Sequence, residues 1–362
     1  MNARIAPLRS HAPQPARVAL LGTGTVGSAA WARLASWADT PLDGRLSLVH
    51  VANSRFAISN RNGVPADTRE LLLRNAPRAS SLDAVGDALS GSGTRIVIDA
   101  TASETVAERH ASWLAGGIHV VTACKLGQGT TLARWRAIQA ARARGGTRYG
   151  DSATVGAGLP LLRSLRELQA GGDRIHAVAG VLSGSLAWLF NHYDGLRPFS
   201  NFVRAARDAG YTEPDPRDDL SGEDVRRKLL ILSRAAGRAL EADAVQVDSL
   251  VPEALAALAA GDVDGALPSL DAPLRERYAA AYKNGEKLRF IARLQADGLA
   301  TVGLEALAAD HPLAGGAGTD NRVAIWSDRY REQPLLIQGP GAGAGVTAAA
   351  LLDDALRIAR EA

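Results

Sequence analysis

The chain has little cysteine and no long apolar run, and both features limit the classes of protein to which it can belong. Among 362 residues there is one cysteine, Cys124, which excludes an intramolecular disulfide. No run is long enough to cross a membrane, and no apolar signal segment precedes the first predicted strand. We therefore expect a cytoplasmic protein with no membrane partner. Residues 1–16 hold arginines and prolines but no acid, which predicts a flexible arm, with a short organellar transit peptide as the alternative.

The charge of the chain is also small. The formal net charge is +3, and the arginines are scattered among acids instead of being massed in one block. Nucleic-acid binding usually requires a basic patch, so we expect no nucleic-acid partner. Hydrophobic residues make up 46% of the chain, which is enough for two domains with a core each.

Lysine is rare in this sequence. Of 41 basic residues only four are lysines, at positions 125, 228, 283 and 287. Lysine can lose its proton when it is desolvated or crowded by positive charge, whereas arginine effectively cannot. A retained lysine therefore indicates a task that arginine cannot perform.

One segment, residues 210–228, concentrates acids around such a lysine. Pro214 and Pro216 disfavour a helix across its first half, so the acids there are predicted to lie on a looped backbone. Asp215 and Asp218 are expected to stabilise this turn through contacts to backbone N–H groups.

A helix is predicted to follow this turn. Ser221 and Asp224 are three residues apart and resemble a capping box, which predicts a helix start near Gly222. Asp224 and Lys228 are then four apart on one face, beside the apolar stripe. An ordinary surface ion pair is the alternative to a buried site.

A nucleotide-binding fingerprint lies near the amino terminus. A predicted strand at residues 16–21 leads into Gly22-Thr-Gly24-Thr-Val-Gly27 and then into a helical pattern. Gly22 permits a tight turn, Gly24 lets backbone approach a pyrophosphate, and Gly27 lets helix and strand pack closely. The predicted contacts to the cofactor here are Gly22, Gly24, Thr25, Val26 and Gly27.

The second predicted strand, residues 46–52, is followed by Asn53, Ser54 and Arg55. An acid in this place would bind the ribose 2′-hydroxyl of NAD, whereas arginine suits a 2′-phosphate. We therefore predict that NADP is preferred and that NAD is possible, with Arg55 as a contact.

Two further apolar strands are predicted at residues 95–100 and 118–123, with helical patterns between them. Parallel α/β architecture follows, with ligands at the carboxyl ends of the strands. Thr101 and Ser103 lie past one strand end and Lys125 past the other, where they can face a nicotinamide. Plain helix capping is the alternative for Thr101 and Ser103.

Several motifs together resemble the homoserine dehydrogenase family. They are the run at 211–228, Ser-Ala-Thr-Val-Gly-Ala-Gly-Leu-Pro at 152–160, Gly-Val-Leu-Ser-Gly-Ser-Leu at 180–186, and Gly-Pro-Gly-Ala-Gly at 339–343. With the amino-terminal fingerprint, the resemblance covers nearly the whole chain after residue 16. It implies an α/β fold: a Rossmann-type parallel-sheet nucleotide domain, residues 17–150 completed by 335–362, plus an α+β substrate and dimerisation domain, residues 151–334.

The resemblance also implies roles for individual residues. Lys228 is the proton-transfer residue, with Lys125 sharing or supporting that role and contacting the cofactor. Substrate contacts fall on Glu213, Asp219, Asp224, Ser185, Gly184 and Tyr211. Further cofactor contacts fall on Thr101, Ser103, Gly341 and Gly343. A monovalent cation, Na⁺ or K⁺, is expected on the backbone carbonyls of Ser152, Val155, Ala157 and Leu159, although relatives generally have glutamate in place of Ser152.

Cys124 stands where the family usually has asparagine. This cysteine also suggests a second enzyme class as an alternative function. An aldehyde dehydrogenase would use such a cysteine as a nucleophile, with Lys125 or His119 to favour the thiolate. The alternative is a structural role, in which Cys124 packs at the strand end as a small apolar group.

The implied reaction is the reversible NAD(P)-dependent interconversion of L-homoserine and L-aspartate 4-semialdehyde, in threonine and methionine biosynthesis. We expect a homodimer acting on a small molecule, single-function, without a kinase segment or an appended regulatory domain. Two alternatives stay open. One is an oxidoreductase of another small amino-acid alcohol or aldehyde, and the other is a catalytically silent dinucleotide sensor that binds a partner or DNA.

Overall fold

The structure is a computed structural model that describes residues 14–65 and 78–361. Most of the predicted flexible arm, residues 1–13, lies outside the described residues. Within them, no helix combines the length and the apolar character that crossing a membrane requires.

The first sheet has seven described strands in the order β4-β3-β2-β1-β5-β6-β7. Its five strands β2, β1, β5, β6 and β7 are parallel, while β3 and β4 are antiparallel additions at one edge. The bounds are β1 Ala16–Leu21, β2 Leu46–Ala52, β3 Phe56–Ser59, β4 Arg78–Ala79, β5 Arg95–Asp99, β6 His119–Thr122 and β7 Tyr149–Gly150. The predicted parallel α/β architecture is confirmed.

Helices cover both faces of this sheet, because its strands are apolar on both sides. The bounds are α1 Thr25–Ala35, α2 Ala84–Ala88, α3 Glu104–Ala115, α4 Leu132–Gly145 and, from the far end of the chain, α13 Ala344–Glu361. On one face Leu351 and Leu352 of α13 share a core with Leu20 and Trp31. The other face packs against α3 and α4. The last helix therefore belongs to the same layer structure as the first strand.

The second sheet has six described strands in the order β13-β12-β8-β10-β11-β9. It is antiparallel except for the pair β11 and β9. The bounds are β8 Ile175–Val181, β9 Val245–Val247, β10 Glu286–Leu294, β11 Ala300–Ala308, β12 Asp320–Ser327 and β13 Leu335–Pro340.

Helices pack on one face of this second sheet around a single large core. Their bounds are α5 Leu161–Ala170, α6 Gly184–His192, α7 Phe199–Asp208, α8 Arg217–Leu220, α9 Glu223–Ala235, α10 Glu253–Ala256, α11 Val263–Ala266 and α12 Asp271–Lys283. Short 3₁₀ turns lie at Lys125–Gly127, Ser152–Thr154, Ala260–Asp262 and Leu267–Leu270. The predicted α+β second unit is thus present beside the Rossmann-type sheet.

The acidic segment differs from prediction in two respects. The one-turn helix α8 starts directly after Pro216, so the prediction of a looped backbone is wrong for Asp218 and Asp219. Proline is compatible with a helix start, because the first N–H groups of a helix have no partner within it. The capping box is also wrong. The residue that caps α9 is Gly222 in the left-handed conformation, with φ 77°, and no side chain caps this helix.

Candidate active site

The glycine turn after β1 has the geometry that a pyrophosphate site requires. Gly22 has φ 95°, and a Cβ there would meet the Ala100 carbonyl oxygen at 2.7 Å. A Cβ on Gly27 would collide with the Gly22 carbonyl, whereas one on Gly24 would meet nothing within 4 Å. The helix α1 then begins at Thr25, and no side chain in the described part of the chain caps it. Its first N–H groups, including those of Thr25 and Val26, are therefore free to bind an anion.

The end of β2 carries an amide in the place of the ribose-binding acid. Asn53 Nδ2 donates to Thr23 Oγ1 at 3.1 Å, and Asn53 Oδ1 accepts the N–H groups of Arg55 and Phe56, both at 2.8 Å. The Arg55 guanidinium lies 5.8 Å from the centre of the Phe56 ring, and the side chain is exposed. Among the described residues, a cation and no carboxylate thus follows the end of β2.

Thr101 and Ser103 are held in a tight polar turn at the end of β5. The N–H and Oγ1 of Thr101 both donate to Asp99 Oδ1, at 2.9 and 2.6 Å. Ser103 is the N-cap of α3, because its Oγ accepts the Val106 N–H. The capping interpretation therefore describes the Ser103 side chain, while the Thr101 hydroxyl also accepts the Ser103 N–H at 3.1 Å and so stabilises the turn.

A buried polar network beneath this turn was missed from the sequence. Asp99 Oδ2 is 3.0 Å from His110 Nε2, and His110 Nδ1 is 2.9 Å from the Tyr149 hydroxyl. Thr122 Oγ1 donates to Asp99 Oδ2 at 3.2 Å and accepts the Cys124 N–H at 2.8 Å. These five residues join the ends of β5 and β6, so they fix Thr101 relative to the strand end that leads to Lys125.

Cys124 is buried, and burial raises the pKa of its thiol to about 12. The thiol therefore stays protonated near neutral pH, and a thiolate nucleophile is not supported. The side chain instead packs as a small group at the end of β6.

Iodoacetamide provides a direct test of that burial. At about pH 8 the native protein is expected to react roughly a hundredfold more slowly than protein unfolded in urea, because only the thiolate attacks. The chain has one cysteine, so the mass of a single adduct reports the rate. Equal rates in the native and the unfolded protein would show that Cys124 is accessible and reactive.

The two lysines and one acid meet across the boundary between the two sheets. Asp224 Oδ2 lies 2.8 Å from Lys228 Nζ, and Asp224 Oδ1 lies 3.3 Å from Lys125 Nζ. Lys228 Nζ also donates to the Leu182 carbonyl at 2.8 Å. The exposed fractions of the side chains are 13% for Lys228, 31% for Lys125 and 42% for Asp224.

This cluster is more than an ordinary surface pair, because one carboxylate serves two lysines. Burial by itself would raise the pKa of Asp224, but the charges of Lys228 and Lys125 outweigh it and hold that pKa below its usual range. Asp224 thus stays ionised and links Lys125, which follows β6 of the first sheet, to Lys228 on α9.

A second acid lies close by, on α8. Asp219 Oδ1 accepts the Ser185 hydroxyl at 2.6 Å, and Asp219 Oδ2 accepts the Glu213 N–H at 2.8 Å. Burial raises the pKa of Asp219. Gly184 and Ser185 begin α6, which Ser183 caps. Asp219 is therefore a rigidly held carboxylate beside a helix amino terminus.

The remaining residues of the acidic segment are more exposed to solvent. Glu213 and Tyr211 are exposed, and the Tyr211 ring lies 5.5 Å from that of Trp188. Asp215 accepts the Arg217 N–H at 3.0 Å and pairs with the Arg217 side chain, as a turn-stabilising residue does. Asp218 contributes its backbone carbonyl, which accepts the Ser221 hydroxyl.

Hydrogen bonds within the predicted cation loop, and from it to α13, hold the loop in place. Ser152 donates its N–H and its hydroxyl to Asp354 of α13, both at 2.9 Å, and the Leu159 carbonyl accepts the Leu161 N–H at 2.8 Å. Ala157 has φ 50°, and Val155, two residues earlier, has extended backbone. Among the described residues no group of three or more His, Cys, Asp or Glu side chains could hold a metal. A carbonyl-bound monovalent cation stays a prediction.

The second glycine loop approaches a buried amide. The carboxamide of Asn321 on β12 occupies the space that a Cβ on Gly341 would need, and Gly343 has φ 123°. Asn321 is fully buried, and its amide has no hydrogen-bond partner among the described residues. The loop that carries Gly341 and Gly343 leads from β13 into α13, so both glycines lie where the second sheet meets the first domain.

The fold and this site together define a class of protein. A Rossmann-type sheet with a glycine turn binds a dinucleotide, and lysines at the far end of such a site are suited to proton transfer. The fold is accordingly that of a dinucleotide-binding protein of the Rossmann class. Residues 160–356 match the homoserine dehydrogenase family model, and residues 22–149 match the model of that family's NAD-binding domain. The chain belongs to the homoserine dehydrogenase family.

Individual relatives agree with this membership. A homoserine dehydrogenase of Schizosaccharomyces pombe is 35% identical over 355 residues, which is 94% of each chain. A chloroplastic bifunctional aspartokinase/homoserine dehydrogenase 2 of Zea mays is 37% identical over 350 residues, 94% of this chain and 38% of that protein. The chain thus spans little more than a third of the length of such bifunctional relatives.

Solved structures are similar over the whole fold. A crystal structure of a Candida auris protein of unknown function is 34% identical, with a TM-score of 0.89, and the match covers 96% of this chain and 99% of that one. A homoserine dehydrogenase from Thiobacillus denitrificans is 27% identical, with a TM-score of 0.72, covering 96% and 73%. Both resemble this chain in both sheets and not merely in the nucleotide domain.

Proposed function

We propose that the protein catalyses the reversible NADP-dependent interconversion of L-homoserine and L-aspartate 4-semialdehyde. The observation that carries this proposal is the cluster of Lys125, Asp224 and Lys228. It joins the segment that follows β6 of the first sheet to α9, and Asp219 lies on the neighbouring helix α8. Relatives that are named homoserine dehydrogenases support the choice of substrate.

Proton transfer is assigned to Lys228. Oxidation of the alcohol sends a hydride from carbon 4 of homoserine to the nicotinamide, which supplies the redox chemistry when bound, and it leaves the hydroxyl proton to be removed. Lys228 takes that proton once it has released its own to solvent, and its neutral amine then becomes an ammonium again. Asp224 and the Leu182 carbonyl occupy two of the three positions around Nζ, so the third is left for the substrate hydroxyl.

Substrate binding is assigned to the acids of the second domain. The substrate ammonium needs carboxylate partners, and Asp219 offers one that two hydrogen bonds already orient. Glu213, which is exposed at the same turn, can add a second. Ser185, Gly184 and Tyr211 complete the proposed contacts.

The proposed preference for NADP makes a testable prediction at Arg55. Replacing Arg55 with alanine is expected to raise the KM for NADP about tenfold and to leave the KM for NAD nearly unchanged, because one charge-assisted contact to the 2′-phosphate is lost. Steady-state kinetics with both cofactors measure the change. Arg61→Ala, at another exposed arginine nearby, is the matched control. An equal loss with both cofactors would assign Arg55 to something other than the 2′-phosphate.

The reaction itself is tested by the absorbance of reduced nicotinamide. Purified protein with L-homoserine and NADP⁺ at alkaline pH should form reduced cofactor, and L-2-aminobutyrate, which lacks the hydroxyl, should not react. A protein that binds the cofactor but gives no homoserine-dependent signal with NADP⁺ or NAD⁺ would refute the proposal. A response to another amino-acid alcohol would then redirect it.

We also infer a homodimer in the cytoplasm that serves threonine and methionine biosynthesis, since family membership is the support for each of these points. A monovalent cation on the carbonyls of Ser152, Val155, Ala157 and Leu159 remains part of the same proposal. Molar mass in solution and activity after exchange of K⁺ for a bulky organic cation test the two structural points.

A further inference from the structure

The segment that carries Lys125 packs directly on the backbone of α9. This segment, residues 125–130, is called the Lys125 loop below. A Cβ on Gly129 would meet the carbonyl oxygens of Lys125 and Arg227 at 2.8 and 2.9 Å, and the Gly129 N–H donates to the Lys125 carbonyl at 2.7 Å. A glycine is therefore required for the loop to approach the helix that bears Asp224 and Lys228.

Arg234, near the end of α9, reaches back to the same loop. Its side chain is buried, with 4% of the residue exposed. One guanidinium nitrogen donates to the Gln128 carbonyl, and the other donates to the carbonyls of Thr130 and Leu240, at 2.8 and 2.9 Å. Two of these three acceptors belong to the Lys125 loop, so a single side chain bridges the loop to α9.

Carbonyls, and no carboxylate, accept all of the hydrogen bonds that this arginine makes among the described residues. Burying a charge is unfavourable unless its hydrogen bonds are well made, and the charge of Glu241 offsets only part of that cost. Burial lowers the pKa of Arg234 to about 10. A side chain kept in so unfavourable a place indicates a task that depends on the three carbonyl contacts.

The opposite side of the loop is held as well. Gln128 Nε2 donates to Asp151 Oδ2 at 2.6 Å, and Asp151 forms a two-pronged ion pair with Arg166 at 2.7 and 2.6 Å. Gln128 is thus held through its carbonyl by Arg234 and through its side chain by Asp151. Without Arg234, the loop would keep the packing of Gly129 on the Arg227 backbone and the partly exposed Lys125 pair with Asp224 at 3.3 Å, which is a weak type of contact.

We propose that Arg234 is a positioning residue that fixes Lys125 relative to Asp224 and Lys228. The inference rests on the proposed function, in which Lys125 supports proton transfer by Lys228. Three carbonyl contacts fix the direction of the loop, because the planar fork of arginine donates along defined lines. Displacement of a reacting group by an ångström is enough to slow catalysis substantially.

A double-mutant cycle with Arg234→Lys and Lys125→Ala tests the inference. Lysine keeps the charge but cannot donate to all three carbonyls in the same geometry. Arg234→Lys alone should lower kcat about tenfold, with little change in the KM for homoserine or in NADPH binding. Because Arg234 acts through Lys125, the double variant should be no slower than Lys125→Ala. Losses that multiply would overturn the inference, since a purely structural arginine would slow both backgrounds equally.

Arg226→Lys is the matched control. Arg226 lies on the same helix and donates to the Ala242 carbonyl at 3.1 Å, away from the Lys125 loop. The Arg226→Lys variant should have a kcat close to that of the unmodified protein. A tenfold loss of kcat in this variant would also count against the inference. If Arg234→Lys fails to fold, Gly129→Ala displaces the loop from α9 by another route and should show the same non-additivity.

Hydrogen exchange separates this inference from the proposed reaction. Amide exchange in residues 125–130 should accelerate in Arg234→Lys and not in Arg226→Lys, whether or not homoserine is the substrate. Unchanged exchange would refute the positioning role. An unmodified protein that is inactive with homoserine, but whose loop exchanges faster in Arg234→Lys, would refute only the proposed function.

Discussion

Replacing Lys228 with alanine is expected to lower kcat for homoserine oxidation about a thousandfold, in the middle of the range for loss of a general base. The amine is 2.8 Å from both Asp224 and the Leu182 carbonyl, which hold it in place, and alanine removes it altogether. Stopped assays with saturating homoserine and NADP⁺ give kcat, and NADPH fluorescence shows whether the cofactor still binds.

Two further variants make the test of Lys228 more specific. Lys228→Arg should be nearly as inactive as Lys228→Ala, because arginine keeps the positive charge but does not lose its proton. Lys287→Ala, at an exposed lysine far from the site, should have no effect. If Lys228→Ala keeps more than about a tenth of kcat, Lys228 is not the general base.

Replacing Asp219 with asparagine is expected to lower kcat/KM for homoserine about a hundredfold, as loss of one partner from a desolvated charge pair does. Most of the loss should be in KM, because the ammonium is bound equally in the ground state and in the transition state. Asp218→Asn changes the neighbouring, exposed acid of the same helix and should change kcat/KM less than twofold. If both variants behave alike, Asp219 is not a specific partner of the substrate.

The pH profile gives a second signature of Asp219. Burial raises the pKa of this acid, so it is protonated at a higher pH than an ordinary aspartate. Its carboxylate form binds the substrate ammonium, and kcat/KM should therefore fall as the pH decreases through that raised pKa. The same acid limb should be missing in Asp219→Asn, and its persistence there would assign it to another group.

The parts of the molecule that sequence patterns predicted are mostly local. The glycine turn, the strands at 16–21 and 46–52, and the pairing of Asp224 with Lys228 each depend on residues within a few positions of one another. Fixed spacing on one element determines such contacts before the chain folds. The resemblance to a known family supplied what local patterns could not, including the placing of Lys125 near this pair.

What the sequence did not predict depends on tertiary packing. The hydrogen bonds among Asp99, His110 and Tyr149 join three separate elements, and no spacing in the chain signals them. Two of the carbonyls that accept hydrogen bonds from Arg234 lie over a hundred residues away in the chain, so no local pattern predicts these contacts. The capping box is not formed because Gly222 adopts the left-handed conformation, in which it begins α9 without a side-chain cap among the described residues.

The most direct test of the account follows the hydride itself. Homoserine carrying two deuterium atoms at carbon 4 is mixed with NADP⁺ and the protein, and the mass of the reduced cofactor is measured. The account predicts one deuterium in each reduced cofactor and almost none formed by Lys228→Ala. Reduced cofactor without deuterium, or no reduced cofactor from a folded protein that binds NADP⁺, would contradict it.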